Sequence, residues 1–156
     1  MKSVLIIGMG RLGHHLCKNL AEMGNEVMIV DRDEESMQDI LSVAMMAKVG
    51  DCTKEDVLRS LGVGNFDICF VCISSDFQSS LEITSLLKEL GAAYVVSKAN
   101  RDIQAKFLLR NGADEVIYPE RDVAERAAIK YGSNKVFDYI VMAEGYSTPE
   151  CPPMHR

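Results

Sequence analysis

An apolar run near the start of the chain stops abruptly at a glycine-rich loop. Residues 2–7 read KSVLII, and residues 8–13 read GMGRLG, which matches the pattern G-x-G-x-x-G. Leu12, Leu16 and Leu20 then recur at helical spacing. A buried strand, a tight glycine turn and a helix in this order are typical of a parallel α/β unit, so this feature constrains the fold more than any other.

Short β-branched runs alternate with amphipathic stretches along the rest of the chain. Helical patterns separate these runs, and Met37, Ile40, Leu41 and Ala44 mark the helix expected after the second of them. Six strands separated by helices predict an α/β fold with a Rossmann-like, doubly wound parallel six-stranded sheet, because right-handed crossovers leave few other arrangements. The strands are expected at residues 2–7, 26–31, 45–50, 66–73, 94–98 and 115–118.

The glycine loop has the spacing needed to hold a pyrophosphate. Gly8 allows the tight turn, Gly10 lets the backbone approach the phosphates, and Gly13 lets the helix pack close to the strand. The helix N-terminus then offers free amide groups and the positive end of its dipole. The alternative is a glycine-rich turn that binds nothing.

Asp31 ends the second predicted strand, 18 residues after Gly13. A carboxylate at this point can accept hydrogen bonds from the hydroxyls of an adenosine ribose and would repel a 2′-phosphate, so NADP is disfavoured. Arg32 follows directly and weakens that exclusion. The alternative role for Asp31 is to cap the next helix, although Asp33 is equally placed for that.

Charged and titratable residues also lie within or just after the loop. Arg11 could pair with phosphate oxygens or simply face solvent, and the sequence does not choose between the two. His14 and His15 fall in the first turn of the helix, where one of them could approach a phosphate. Since neither has a partner at metal-ligand spacing, we interpret both as ordinary surface residues.

Two further strand ends are expected to border the same crevice. Asp51 and Cys52 follow the third strand and could contact an adenine edge, while Thr53 could instead cap the next helix. Ser74 and Ser75 follow the fourth strand and could contact phosphate or ribose, or cap the helix after it.

Two short patterns in the sequence do not indicate a site. Cys69 and Cys72 spell C-x-x-C, but residues three apart on a strand point to opposite faces and cannot share a metal ion. Tyr94 and Lys98 spell the Y-x-x-x-K of short-chain dehydrogenases, but they fall on a predicted strand rather than on one helical face. We therefore predict buried cysteines and no dehydrogenase pair.

Composition excludes several classes of protein. The chain has 156 residues, is 47% hydrophobic and carries a formal net charge of −6. That charge argues against a general nucleic-acid binder, which needs clustered Lys and Arg. No apolar run approaches a bilayer-spanning length, and five cysteines without framework spacing suit a reducing cytoplasm. We expect a cytoplasmic protein that does not itself enter the membrane.

The pattern changes near the end of the chain. We expect a nucleotide-binding domain over residues 1–135 and a linker over residues 136–156 that opens a second, missing or truncated domain. Residues 136–142 could form one more strand. Three of the four prolines lie in residues 149–153, so the last ten residues are not expected to form regular structure.

Taken together, these motifs resemble a KTN/RCK N-terminal domain, also called TrkA-N, over roughly residues 1–145. Such domains belong to the cytosolic nucleotide-binding subunits of Trk/Ktr-type potassium uptake systems and of RCK-gated channels. In most of them small residues follow the glycine loop, whereas here two histidines follow it. The motifs that carry the resemblance lie at residues 8–13, 30–31, 50–53, 71–73, 87–91, 97–99, 112–114 and 118–122.

The resemblance implies a ligand, a set of contacts and partners. It implies NAD(H), ATP, ADP or AMP as ligand, a membrane potassium-translocating subunit as partner, and dimers within an octameric ring that exchange the last helix of the domain. Glu120 would approach the ligand, across a dimer contact in one arrangement. The full set of implied nucleotide-binding residues is Gly8, Met9, Gly10, Arg11, Leu12, Gly13, Asp31, Arg32, Asp51, Cys52, Thr53, Ile73, Ser74, Lys98 and Glu120.

The function expected from the sequence is regulatory and not enzymatic. No acid/base pair or activated nucleophile is visible, so a bound nucleotide would bias one of two conformations and thereby gate potassium transport at the inner face of the membrane. The alternatives are an NAD-dependent oxidoreductase, for which the chain leaves no substrate domain, and a cytosolic domain of a cation/proton antiporter.

Overall fold

Strands and helices alternate through the part of the chain that the computed structural model describes, residues 1–74 and 76–132. The strands are β1 Ser3–Ile7, β2 Glu26–Asp31, β3 Met46–Val49, β4 Ile68–Val71, β5 Val95–Lys98 and β6 Glu115–Ile117. The α-helices are α1 Arg11–Glu22, α2 Glu55–Leu61, α3 Phe77–Glu89, α4 Asp102–Arg110 and α5 Pro119–Gly132. Two 3₁₀ helices, Glu34–Ile40 and Val63–Asn65, complete the described elements.

The six strands form one parallel sheet in the order β3-β2-β1-β4-β5-β6. This confirms the predicted Rossmann-like sheet. The strand order reverses at β1, where Ile7 pairs with Val30 of β2 on one side and with Val71 of β4 on the other. The carboxyl ends of three strands therefore lie level, and ligands of such sheets bind at this point.

The sheet is covered on both faces because its central strands are apolar on both. Val4 and Ile6 of β1 pack in a cluster with Cys17 of α1, whereas Leu5 and Ile7 pack in a second cluster with residues of α2 and α3. Successive strand residues point to opposite faces, so an unbroken apolar run supplies both layers. The strand was predicted over residues 2–7, and the observed β1 begins one residue later, at Ser3.

The connection from β2 to β3 differs from the predicted helix. A 3₁₀ helix ends at Ile40, and Leu41 and Ala44 lie beyond it in a turn. The Asp33 carboxylate caps this helix by accepting a bond from the Glu35 amide. The Met45 amide bonds to the Val27 carbonyl at 2.9 Å, so the predicted helical residues are divided between a 3₁₀ helix and the segment that leads into β3.

The described residues fall into two compact units. The first runs from Met1 to Tyr118, and the second begins at Pro119 and contains α5. The expected domain boundary near residue 135 and the expected strand at residues 136–142 lie outside the described residues and stay predictions.

Within residues 1–74 and 76–132, no helix combines the length and apolarity that a bilayer crossing demands.

Candidate functional site

A cavity of about 260 Å³ opens at the carboxyl ends of β1, β2 and β4. Its wall brings together the glycine loop after β1, the end of β2, the loop after β3 and the loop after β4. The predicted site residues that line it are Gly8, Met9, Gly10, Asp31, Arg32, Asp51, Cys52, Thr53, Ile73 and Ser74.

The glycine loop has a conformation that side chains would prevent. Gly8 has a φ of +99°, and a Cβ on it would lie 2.9 Å from the Cys72 carbonyl carbon and oxygen. A Cβ on Gly13 would lie 2.2 Å from the Gly8 carbonyl oxygen. These contacts fix the turn and hold α1 against the end of β1, as the spacing predicts.

The start of α1 leaves room for an anion. Gly10 is the N-cap, no side chain caps the helix, and no acidic residue lies in its first turn. A Cβ on Gly10 would meet only the Ser74 hydroxyl at 3.4 Å, so the backbone faces an open approach. Free amides at an uncapped helix start are the groups that bind phosphate.

Asp31 connects the end of β2 to the glycine loop. Its Oδ2 accepts a hydrogen bond from the Met9 amide at 2.7 Å, and its Oδ1 accepts one from the Asp33 amide at 2.8 Å. A carboxylate has about four acceptor positions, so two remain for ribose hydroxyls. Asp31 thus fits the predicted ribose contact and also orients the loop, a role that sequence spacing does not reveal.

The loop after β3 is organised by Asp51 and not by a Thr53 helix cap. The Asp51 Oδ1 accepts bonds from the Thr53 amide at 3.0 Å and the Thr53 hydroxyl at 2.7 Å. These bonds, with the nearby charges of Arg32 and Lys54, lower the pKa of Asp51 below its usual range. Lys54 is the N-cap of α2 and makes no side-chain cap bond, so the capping role suggested for Thr53 is wrong.

The loop after β4 carries a hydroxyl paired with an ammonium group. Lys98 Nζ of β5 donates to Ser74 Oγ at 2.8 Å. The helix cap here is Asp76, whose carboxylate accepts bonds from the Gln78 and Ser79 amides. Ser74 is therefore not the cap. Its hydroxyl lies beside Gly10 and holds the Lys98 ammonium group near the glycine loop.

The two cysteines that line the cavity are protonated. Burial, with the Asp51 and Asp31 charges, raises the pKa of Cys52 to about 12. Burial raises the pKa of Cys72 to about 12 against the opposing charge of Lys98. Since the thiolate is the nucleophilic form, neither side chain is activated for covalent chemistry.

The other predicted site residues lie outside the cavity wall. Arg11 is the exposed first residue of α1, while Leu12 and Gly13 pack behind the loop. Lys98 reaches the wall through Ser74, and Glu120 lies on α5 in the second unit. Nucleotide contacts by these residues stay predictions.

Sequence reasoning missed several contributors. Ser36 and Ser79 line the cavity, and Ser79 also donates its hydroxyl to Asp76 at 2.7 Å. A D-x-x-S spacing after a strand could have indicated this cap.

His14, interpreted as an ordinary surface residue, instead bonds to Gly10 and Asp39. Asp39 is 25 residues away in the chain, so no local pattern reveals that pair.

The two short patterns in the sequence have structural explanations. Cys69 packs in the apolar cluster on one face of the sheet and Cys72 in the cluster on the other, which confirms the predicted buried cysteines on opposite faces. Among the described residues, no group of three or more His, Cys, Asp or Glu side chains is placed to hold a metal ion. Lys98 is the last residue of β5, and Tyr94 is the residue just before this strand begins, so the pair lies on no helix.

A glycine loop at the reversal of a parallel sheet, with a carboxylate at the end of β2, defines a Rossmann-like domain of the nucleotide-binding type. The chain belongs to the TrkA-N domain family, whose pattern matches residues 4–119.

Several proteins similar in sequence to this chain are named as potassium transport proteins. The chain is 42% identical over 149 residues to the Ktr system potassium uptake protein C of Bacillus subtilis, covering 96% of this chain and 67% of that protein. It is 38% identical to the Ktr system potassium uptake protein A of the same organism, with the same coverage. It is 29% identical to the glutathione-regulated potassium-efflux system protein KefC of Escherichia coli, covering 83% of this chain and 20% of that protein.

Solved structures with this fold include nucleotide complexes. The AMP-bound Kef CTD of Shewanella denitrificans has a TM-score of 0.69 at 22% identity, covering 91% of this chain and 89% of that one. The NAD-bound GsuK channel has a TM-score of 0.68 at 16% identity, covering 81% and 23%. A xanthine dehydrogenase from Bacillus halodurans has a TM-score of 0.62 at 20% identity, covering 76% and 35%. At these identities the likeness shows a shared fold.

Proposed function

We propose that this chain is a nucleotide-sensing regulatory subunit that gates a membrane potassium transporter or channel. The observation that carries the proposal is the cavity at the sheet reversal. An uncapped helix start and Asp31, whose carboxylate accepts two backbone hydrogen bonds, both border this cavity. The similarity to Ktr potassium uptake proteins supports the transport role. The protein would act at the cytoplasmic side of the membrane through its partner.

The cavity residues offer a contact for each part of an adenine nucleotide. The amides after Gly10 would bind phosphate oxygens, Asp31 would accept bonds from the ribose hydroxyls, and the loop at Asp51 would border the adenine. The Lys98–Ser74 pair adds a positive charge beside the loop. The complexes of similar folds contain AMP and NAD, and the GsuK channel has also been solved with ADP, so we propose NAD(H) or adenosine phosphates as ligands.

The proposed role is regulatory because the described residues supply binding groups without an activated nucleophile. Both cavity cysteines are protonated, and the carboxylates of Asp31, Asp51 and Asp76 are engaged by backbone amides. A ligand in this site shifts a conformational equilibrium only by its difference in affinity for the two states. In a dimer or ring of this chain, such a shift would change the relative positions of the subunits and thereby act on the membrane subunit.

The direct test is titration calorimetry of the full chain with AMP, ADP, ATP and NAD. Asp31→Ala should reduce affinity about tenfold to hundredfold, because hydrogen bonds to a charged group are lost. Asp33→Ala is the matched control: it removes the same charge two residues away, from a carboxylate that caps the 3₁₀ helix, and should change affinity less than about twofold. Equal affinity for wild type and Asp31→Ala would contradict the site.

A second experiment separates the regulatory role from an oxidoreductase. The chain is mixed with NADH and a panel of carbonyl compounds, and NADH absorbance is followed. Binding without turnover supports the sensor, whereas turnover at enzymatic rates would show that the fold shared with a dehydrogenase extends to its activity. Nucleotide-dependent potassium uptake on co-expression with a Ktr membrane subunit would support the partner.

A further inference from the structure

His14 has a hydrogen-bond acceptor at each ring nitrogen. Its Nδ1 lies 2.9 Å from the Gly10 carbonyl oxygen, and its Nε2 lies 3.0 Å from Oδ1 of Asp39 in the 3₁₀ helix. The ring is partly buried, with 28% of the side chain exposed, while Asp39 is 78% exposed. His14 therefore connects the glycine loop to the segment that follows β2.

These two partners select one protonation state of the ring. A carbonyl and a carboxylate can only accept hydrogen bonds, and a neutral imidazole has a single N–H to donate. Only the imidazolium ion satisfies both contacts. Partial burial lowers the pKa of His14, but the bonds to Gly10 and Asp39 raise it by more, so the pKa lies above its ordinary value of 6.5.

The charge lies in the first turn of α1, next to the loop where a phosphate is expected to bind. Gly10 lines the cavity and is the N-cap of α1, so the imidazolium is one hydrogen bond away from the backbone that would bind the anion. A cation at a helix N-terminus is disfavoured by the helix dipole. An anion bound in the same turn relieves that repulsion and is attracted to the ring.

The charged groups around His14 lie on its own helix and on the 3₁₀ helix that follows β2. Arg11 and Lys18 lie one turn to either side of His14 on α1. The hydrogen bond to His14 lowers the pKa of Asp39 below its usual range. The charged residues of the 3₁₀ helix are Glu34, Glu35 and Asp39.

We propose that His14 makes nucleotide binding proton-linked, with the imidazolium form favouring a phosphate on the glycine loop. This inference rests on the proposed nucleotide site. Affinity is expected to rise as pH falls through the His14 transition, and by linkage nucleotide binding takes up protons. His14 acts as a positioning and charge-bearing residue beside the phosphate, since it does not itself line the cavity.

The test is titration calorimetry of the full chain with NAD from pH ~5.5 to ~8.5. NAD is chosen because its pyrophosphate diester keeps a constant charge over that range. For the wild type, affinity should fall about threefold to tenfold across the range, the size expected for two charges a short distance apart near a protein surface. His14→Gln should bind with little pH dependence, because glutamine can still donate to Gly10 or Asp39 but carries no charge.

Two further variants make the test specific. His15→Gln removes the neighbouring exposed imidazole and should keep the wild-type pH dependence. Asp39→Asn removes one acceptor charge and should move the midpoint to lower pH, a shift that also decides the question if His14→Gln folds poorly. The His14 ring transition, followed by NMR in the free chain, should lie above pH 6.5.

The results that would overturn the nucleotide site differ from those that would overturn only the proton linkage. Absence of NAD, ADP and AMP binding at every pH overturns the proposed nucleotide site and this inference with it. Binding that is independent of pH, or a His14→Gln variant with the wild-type pH dependence, overturns the proton linkage alone. A His14 ring whose pKa is the same with and without bound NAD does the same.

Discussion

The two sides of the cavity are held in place by different forces. On the glycine-loop side, the backbone of Gly8 and Gly13 packs so closely that a single Cβ would lie 2.2 to 2.9 Å from another main-chain atom. On the β4–β5 side, a side-chain hydrogen bond joins Ser74 to Lys98, and Ser97, the residue before Lys98, pairs with the buried Thr84. The first side is fixed by sterics and the second by polar side chains.

The difference predicts how each side responds to substitution. A steric constraint between backbone atoms cannot be relieved by a rotamer change, so breaking it should cost folding stability. A hydrogen bond between side chains can be replaced by water when it is exposed, so losing it should cost affinity more than stability. Substitutions on both sides, measured in one set of assays, test this contrast.

Gly13→Ala should give the largest effect. The new Cβ would overlap the Gly8 carbonyl oxygen, so α1 must move away from β1, at a cost of about 3 kcal/mol in the free energy of unfolding. Urea denaturation measures it. Gly10→Ala is the matched control, because its backbone suits alanine and its Cβ would touch only Ser74 at 3.4 Å. That variant should stay folded and lose nucleotide affinity, and a strongly destabilised Gly10→Ala would contradict the contrast.

Ser97→Ala should rank second. Thr84 and Ser97 are fully buried, and their hydroxyl oxygens are 2.7 Å apart. Removing one leaves the other without that bond in a buried site, at a cost of about 2 kcal/mol in unfolding free energy. Replacing both, with Thr84→Val and Ser97→Ala together, should cost clearly less than the two single costs added. Additive costs in this double-mutant cycle would show that the pair is not coupled.

Lys98→Met should have the smallest effect on folding. The ammonium group donates to Ser74 near the cavity, so its loss should weaken nucleotide binding about threefold to tenfold and change unfolding free energy by less than about 0.5 kcal/mol. Lys106→Met removes the same charge from an exposed position on α4 and should leave both quantities unchanged. Equal loss of affinity in both variants would indicate a general charge effect instead of a local contact.

The steric side of the cavity could be predicted from sequence, whereas much of the polar side could not. Gly8, Gly13 and Asp31 act within one β-α-β unit, so a fixed spacing encodes their arrangement. The Lys98–Ser74 bond joins residues 24 apart, and the His14–Asp39 pair joins residues 25 apart. Such contacts depend on which strands become neighbours, so local patterns do not contain them. Only the resemblance to a family assigned Lys98 to the nucleotide site.

Local competition explains the expectations that were wrong. Thr53 has a capping side chain, but its hydroxyl donates to Asp51 instead of capping α2. At Thr53 a competing local hydrogen bond overrides the capping preference that the sequence displays. The residues after Asp33 have helical periodicity, but they form a 3₁₀ helix that ends at Ile40, before β3.

Amide chemical-shift mapping of the full chain with NAD tests the central claim most directly, because it locates the ligand without assuming any residue's role. If the cavity at the sheet reversal is the nucleotide site, the largest shifts will fall on the Met9 and Asp33 amides, which bond to Asp31, and on the first turn of α1. Shifts confined to the shallow depression between α3 and α4, around Glu82 and Asn111, with the glycine loop unchanged, would contradict the account.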